Sequence, residues 1–323
     1  MNRHRAHSFV VVQDNDDSAP LRGAVVAIGN FDGVHRGHRA VFDAAIQRAR
    51  AIGRPAAALT FEPHPRTFFR PNAPSFRLTD RNAKLRLLGA SGLDGVIVLG
   101  FDAALANLTA DEFIEKILVQ RLGVKGVVIG FNFFFGKNRG GSPELLAAAG
   151  KQHGFSVDIV APFEEHGRRV SSGAIRDALG RGDVADAAAL LGYPWFVSGE
   201  VIHGEKRGRE LGYPTANLRL EPGCGLRHGI YAVRVAVGER VYDAVASFGR
   251  RPTFDNGAPL LEVFFFDFGG DLYGKRLDVA FIGWIRPELR FDGVEALVRQ
   301  MDEDSRQARS LLTASPLRFP LPK

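Results

Sequence analysis

Gly29-Asn30-Phe31-Asp32-Gly33-Val34-His35-Arg36-Gly37-His38 follows the apolar run AVVAIG (24–29) and precedes a helical pattern over residues 38–52. That pattern carries Val41, Ala44, Ala45 and Ile52 at helical spacing and stops at Gly53, with Pro55 beyond. In an open parallel sheet, a glycine-rich turn between strand and helix is where ligands bind, because a helix amino terminus favours an anion. Gly29, Gly33 and Gly37 let backbone amides approach a phosphate. His35 and His38 can then donate hydrogen bonds to an oxyanion that gains charge during phosphoryl or nucleotidyl transfer. Two histidines at this spacing could instead pack a core or ligate zinc, but no cysteine or acidic cluster supplies further zinc ligands at a recognised spacing. The strand-turn-helix setting favours the phosphate.

Working outward, further apolar runs lie at 56–61, 95–101, 126–131 and 157–163. They are apolar at successive positions, as strands buried on both faces of a parallel sheet must be. Helices separate them. Thr109-Ala110-Asp111-Glu112 reads as a capping box opening a helix through Arg121, and Ser142-Pro143-Glu144 opens another with proline where a missing N–H costs nothing. The alternation predicts an α/β, Rossmann-like, doubly wound sheet.

After Asp183 the texture changes. A short alanine-rich helix (184–192) leads into strand-like runs at 195–202, 229–238, 240–249, 259–268 and 275–285, separated by Gly, Pro, Asn and Asp turns. These predict an antiparallel β-barrel or sandwich, with a helix at 293–312 packed on it. The domains expected are a loose extension over 1–22, an α/β domain over 23–186 and a β domain over 187–323.

Composition sets the outer limits. A chain of 323 residues with 45% apolar and 24% charged residues has the composition of a globular protein rather than a disordered or fibrous chain, and its length predicts two domains. The single cysteine, Cys224, cannot form an internal disulfide, which fits a reducing compartment. No window approaches the roughly 18 to 20 apolar residues of a membrane span, and the first twenty residues lack a secretory apolar region, so a cytoplasmic protein is expected. The charge of +6 suits phosphorylated ligands or nucleic acid, but the basic residues form no recognisable RNA-binding signature. The charge by itself selects no partner, and neither nucleic acid nor membrane is expected.

A second string, GEVIHGEKRGRELGYPTAN (199–217), sets Gly204, Gly208 and Gly212 four apart with Lys206, Arg207 and Arg209 among them. This suits a flexible basic loop folded over phosphates, although such residues are also common in surface turns. Pro214-Thr215-Ala216-Asn217 adds a hydroxyl and an amide oxygen, hard ligands suited to Mg²⁺ held with nucleotide phosphates.

GNFDGVHRGH resembles the H-x-G-H signature of the nucleotidyltransferase superfamily, and its F-D-G-V-H-x-G-H form is similar to that of bacterial bifunctional riboflavin kinase/FAD synthetases. TFEPHP (60–65), LTD with Lys84 (78–84), GFNFFFG (130–136) and VSSGAIR (170–176) agree. The string at 199–217 resembles the riboflavin kinase signature, and FGRRPTF (248–254), LEVFFFDF (261–268) and DLYGK (271–275) look like the same module.

The resemblance implies two ATP-dependent steps: phosphorylation of riboflavin to FMN by the second domain and adenylylation of FMN to FAD by the first. It implies that His35 and His38 contact the triphosphate, with Gly29, Phe31, Asp32, Gly33 and Gly37 around it. Asn132 would lie near nucleotide or flavin, and Ser171, Ser172 and Arg176 would clamp phosphates, although helix capping explains either serine equally well. Gly204, Lys206, Gly208 and Arg209 would cover ATP phosphates, and Thr215 and Asn217 would hold Mg²⁺. Glu262 would be the general base; strand alternation alone lets it face either side of the sheet. Gly173 stands where the family has a threonine, and Phe134 where it often has arginine. The alternative reading is therefore a riboflavin kinase with a weakened or lost adenylyl step. A non-enzymatic flavin or nucleic-acid binder, suggested by the basic charge, gives no reason for Pro214–Asn217 or Glu262.

Overall fold

The apolar runs of the first half become strands with both faces covered. The computed structural model describes residues 9–319 apart from 15, 74–75, 166, 205–212, 222 and 251–258. Strands β1 (Val10–Gln13), β2 (Val25–Ile28), β3 (Ala56–Glu62), β4 (Gly95–Gly100), β5 (Gly126–Gly130) and β6 (Ser156–Val160) form one parallel sheet in the order β1-β4-β3-β2-β5-β6. Every residue of β2 is buried. Helix Arg36–Ala51 buries Val41, Phe42, Ala45 and Ala49; of the stripe expected from the spacing, Val41 and Ala45 are buried, Ala44 is half-buried, and Ile52 lies past the helix end, 44% exposed.

Local signals fix the helix starts. His35 caps the first helix, so it begins two residues before the expected position. Thr109 and Glu112 form the reciprocal capping box, Glu112 N–H donating to Thr109 Oγ1 at 3.2 Å and Thr109 N–H to Glu112 Oε2 at 2.9 Å. That helix continues over Phe113–Arg121 with wider π-type turns. Ser142 caps helix Pro143–His153, with proline in its first turn.

The strand order places the ligand end. From β2 the chain moves outward through β3 to β4, then returns to lay β5 on the opposite side of β2. Connections leaving neighbouring strands in opposite directions open a crevice at their carboxyl ends. The residues bordering that crevice are those after Ile28 and those after Gly130.

Residues 10–13 correct the expectation of a loose extension, because β1 pairs in parallel with β4 from Val10↔Gly95 to Gln13↔Val98. Four residues are too few to show a period, and only the partner strand reveals them. Arg121 fixes the strand's end by binding Asp14 Oδ1 at 3.0 Å.

A short ribbon of β7 (Glu164–Glu165) and β8 (Arg168–Arg169) closes the first unit. In the second unit, β9 (Phe196–Ile202), β10 (Thr215–Arg219), β11 (Gly229–Val237), β12 (Arg240–Arg250), β13 (Pro259–Phe265) and β14 (Arg276–Arg286) form a closed antiparallel barrel in the order β10-β13-β12-β11-β14-β9. Closure leaves no free sheet edge. Strand β10, which holds Thr215 and Asn217, is not among the strand-like runs that the sequence predicts. Helix Val294–Ala314 packs Ala308 and Leu312 against Phe266 and Ile282. It is anchored by Arg286, which binds the buried Asp304 carboxylate through two bonds of 2.7 and 2.6 Å. No helix among the described residues is long and apolar enough to cross a membrane.

Contacts divide the chain into Met1–Pro74 with Arg81–Val170, and Ser75–Asp80 with Ser171–Lys323. This differs from the expected boundary at 186/187. Helix Ser172–Arg181 joins the barrel unit because Arg227 N–H donates to Leu179 O at 3.0 Å. The segment before Arg81 joins it because Trp195 Nε1–H donates to Leu78 O at 2.8 Å and Arg276 pairs with Asp80 at 2.6 Å.

The position of β1 is testable at Gly95, where an added Cβ would stand 2.5 Å from Val10 O and 2.9 Å from Leu21 Cδ1. Gly95→Ala is expected to cost about 1–3 kcal/mol by overpacking and to speed hydrogen exchange at Val12 and Gln13. Unchanged exchange and stability would contradict the pairing.

Candidate active sites

At the carboxyl end of β2 the chain makes an uncommon turn. Phe31, Gly33 and Val34 all have positive φ, at 51°, 85° and 39°. For the two non-glycine residues this is strained backbone, which persists only when packing over-determines it. Val34 is fully buried, and the Phe31 ring meets Phe42 and His38 edge-on at 4.7 and 5.3 Å. Gly29 has a packing reason to be glycine: a Cβ there would lie 2.8 Å from the Phe31 ring.

The two histidines form one unit. Their rings stack at 3.5 Å with planes 17° apart. His35 Nδ1 accepts from the His38 backbone N–H at 3.3 Å, so a neutral His35 carries its proton on Nε2. Burial chiefly, then His35 and Lys84, hold the His38 imidazole well below the ordinary histidine range. Its buried Nδ1 has no hydrogen-bond partner. Gly37 keeps the space beside them open, since a Cβ there would come within 3.2 Å of the His35 ring and 3.5 Å of the Val170 carbonyl oxygen. Asp32 and Gly33 are buried in the same turn.

Across the crevice, Phe133 N–H donates to Gly130 O at 3.0 Å, closing a turn with Asn132 exposed on it. The strand order thus brings Asn132 and the histidine turn to neighbouring strand ends. Phe134 is 46% exposed, and the Arg139 guanidinium stands 5.2 Å above its ring.

Ser171, Ser172 and Arg176 belong to the second unit. Ser171 caps its helix by accepting from Ala174 N–H at 3.2 Å, and Ser172 is the first helical residue. Arg176 Nε donates to Phe76 O at 2.6 Å. A Cβ on Gly173 would touch only Ser171 Oγ, at 3.7 Å, so packing does not demand glycine there.

The barrel supplies a second constellation. Thr215 and Asn217 stand two apart on β10, hence on one face, and Asn217 is directly opposite Glu262 on β13. Their neighbours Leu218, Leu261 and Val263 are fully buried, so alternation sends Asn217 and Glu262 to the barrel's outer face, with Ser247 of β12 beside Glu262. Asn217 is only 6% exposed, yet its Oδ1 is buried with no partner. Its amide lies against Gly204, where a Cβ would be 2.7 Å from Asn217 Cγ. Glu262 is half-buried. Lys206, Gly208 and Arg209 lie outside the described residues.

Two further polar residues stand near these constellations. Lys84, on helix Arg81–Gly89, is 1% exposed and paired with Glu62 at 2.6 Å. Tyr213 donates its hydroxyl hydrogen to Asp302 of the last helix and packs its ring 4.7 Å from Phe264. Burial first, then that bond, pushes its hydroxyl up to about 12.

Comparison with known proteins follows the same division. The FAD synthetase family model matches residues 17–174, and the riboflavin kinase model residues 191–312. Bifunctional riboflavin kinase/FMN adenylyltransferases from Escherichia coli and Haemophilus influenzae are each 41% identical to this chain over 91% of it, covering 95% and 96% of those proteins. The Listeria monocytogenes protein is 37% identical over 88% of this chain and 91% of its own length. A solved Streptococcus pneumoniae protein, described as a macrolide-efflux protein, superposes with a TM-score of 0.82 at 33% identity, covering 93% of this chain and 99% of that one. With both models matched in order and such identity sustained across nearly the whole length, the chain belongs to the bifunctional riboflavin kinase/FMN adenylyltransferase family.

Proposed function

We infer that this protein converts riboflavin to FMN on the barrel unit and FMN to FAD on the sheet unit, using ATP in both steps. The observation that carries the reading is the cross-strand pair Asn217–Glu262 in a chain that also holds the stacked histidine turn at the sheet's crevice. Two phosphate-suited sites in separate units answer to two phosphorus-transfer steps. The alternative, a kinase without the second step, has the substitutions Gly173 and Phe134 behind it. Sustained identity to bifunctional relatives over 91% of the chain weighs against it.

In the kinase step Glu262 takes the proton from the ribityl 5′-hydroxyl. That oxygen bonds to the γ-phosphorus while the bond to the bridging oxygen breaks, releasing ADP. Thr215 and Asn217 are the residues that would hold Mg²⁺, and the orphaned Asn217 Oδ1 is a fitting hard-oxygen donor. Bound there, the ion would offset polyphosphate charge. Gly204, Lys206, Gly208 and Arg209, from the basic stretch of sequence that precedes Pro214, would cover the phosphates.

In the adenylyl step an FMN phosphate oxygen attacks the α-phosphorus of ATP and pyrophosphate leaves. No protein nucleophile is required, so catalysis is positioning and charge stabilisation. His35 and His38 would donate to the phosphate oxygens, with Gly29, Phe31, Asp32, Gly33 and Gly37 shaping the turn. Asn132 would contact nucleotide or flavin. The family motif at 170–176 also assigns phosphate binding to Ser171, Ser172 and Arg176, which belong to the other unit. A cytoplasmic location fits the lone Cys224, whose thiol burial pushes up to about 11, leaving it unreactive.

Purified protein given riboflavin, ATP and Mg²⁺ should accumulate FMN and then FAD, separated by chromatography. Glu262→Gln should cut FMN formation by about 10²–10⁴ while sparing adenylylation of added FMN. His38→Ala should do the reverse, lowering FAD formation by about 10²–10³. The opposite assignment, or loss of both steps in a folded single variant, would refute the division of labour. Gly173→Thr has the room described above and should fold normally and raise the FAD rate; a lower rate would show that the missing hydroxyl is not what limits the step.

A further inference from the structure

A buried ion pair beneath the histidine turn is left unused by the chemistry above. Lys84, from helix Arg81–Gly89, points its ammonium at Glu62 Oε1 at 2.6 Å, with the two side chains 2% and 11% exposed. The same ammonium donates to Phe61 O at 3.3 Å and to Thr60 Oγ1 at 3.4 Å. Thr60 in turn donates its hydroxyl hydrogen to Asn30 O at 3.2 Å, inside the turn that carries both histidines. Removing two charges from water is costly, and such a pair is on average a poor source of stability. Its retention beside a catalytic turn calls for another reason.

We propose that Lys84 is a positioning residue for adenylyl transfer: its ammonium, held by Glu62, fixes the Asn30–His35 turn through Thr60 and sets the field in which His38 works. The proposal rests on the adenylyl-transfer reading of this unit. The groups acting on His38 are His35, stacked on it, and Lys84, from the helix across the strand ends, with Glu62 of β3 behind Lys84. Both named neighbours oppose protonation of His38. Burial and both neighbours thus favour the neutral imidazole, which still carries one N–H able to donate to a phosphate oxygen. The relay also explains how an unusual backbone turn is held: Gly29 N–H donates to Leu59 O at 3.1 Å, and Thr60, the next residue of β3, secures Asn30.

The test uses the full chain, whose riboflavin kinase step reports integrity in the same molecules. Lys84→Met combined with Glu62→Met removes both charges and leaves neither unpaired, which keeps folding feasible. The double variant is expected to keep kinase activity within about twofold and to lose about a hundredfold in kcat for FMN adenylylation, the scale of a misplaced reacting group. KM for FMN should stay nearly constant. With the Lys84 charge that opposes its protonation gone, the His38 titration followed by NMR should move up. Thr60→Val tests the relay alone: kcat should fall while the His38 titration stays in place. A folded double variant with wild-type kcat, or one with reduced kcat and an unmoved His38 titration, would overturn the proposal. Absence of FAD with the unmodified protein would instead strike the adenylyl-transfer reading itself.

Discussion

The first unit depends on the parallel pairing of β2 between β3 and β5. Because the chain leaves β2 on one side and later returns to the other, the ends of two central strands face one crevice. Everything chemical in this unit hangs from those ends. The stacked histidines follow β2, Asn132 follows β5, and Lys84 reaches in from helix Arg81–Gly89, between β3 and β4. The positive-φ backbone at Phe31 and Val34 is tolerated because the surrounding core leaves no alternative packing.

The barrel solves a different problem with the same economy of parts. Closure sends alternate side chains inward, where Leu218, Leu261 and Val263 fill the core, and fixes the remaining positions in register on the outside. Asn217 and Glu262 face each other because of that register. A slip of one residue would exchange them with core leucine and valine positions. The site's precision therefore comes from the ladder, and the last helix, held by Arg286 and Asp304, steadies the barrel from outside.

Much of this was legible in the residues. Doubly apolar runs marked buried parallel strands, and Thr109–Glu112 and Ser142-Pro143 marked helix starts because capping is local chemistry. The histidine turn was legible for the same reason. What escaped was decided by distant partners. Residues 10–13 are a strand only beside β4, and Thr215–Asn217 are a strand only between β9 and β13. The allegiance of helix Ser172–Arg181 depends on bonds to Arg227, far along the chain. Lys84 was visible as part of a motif, but its burial against Glu62 was not, since no local rule predicts which charges are taken out of water. Glu262, ambiguous by alternation, was resolved by its register.

At the centre of the account is one chain that moves two different phosphorus atoms of ATP onto one flavin. Isotopic labelling tests this most directly. With riboflavin as the starting material, label from the γ-position of ATP should appear in FMN and persist in FAD, whereas label from the α-position should enter FAD alone. Failure of α-label to reach any flavin, or FAD carrying no γ-label, would contradict it.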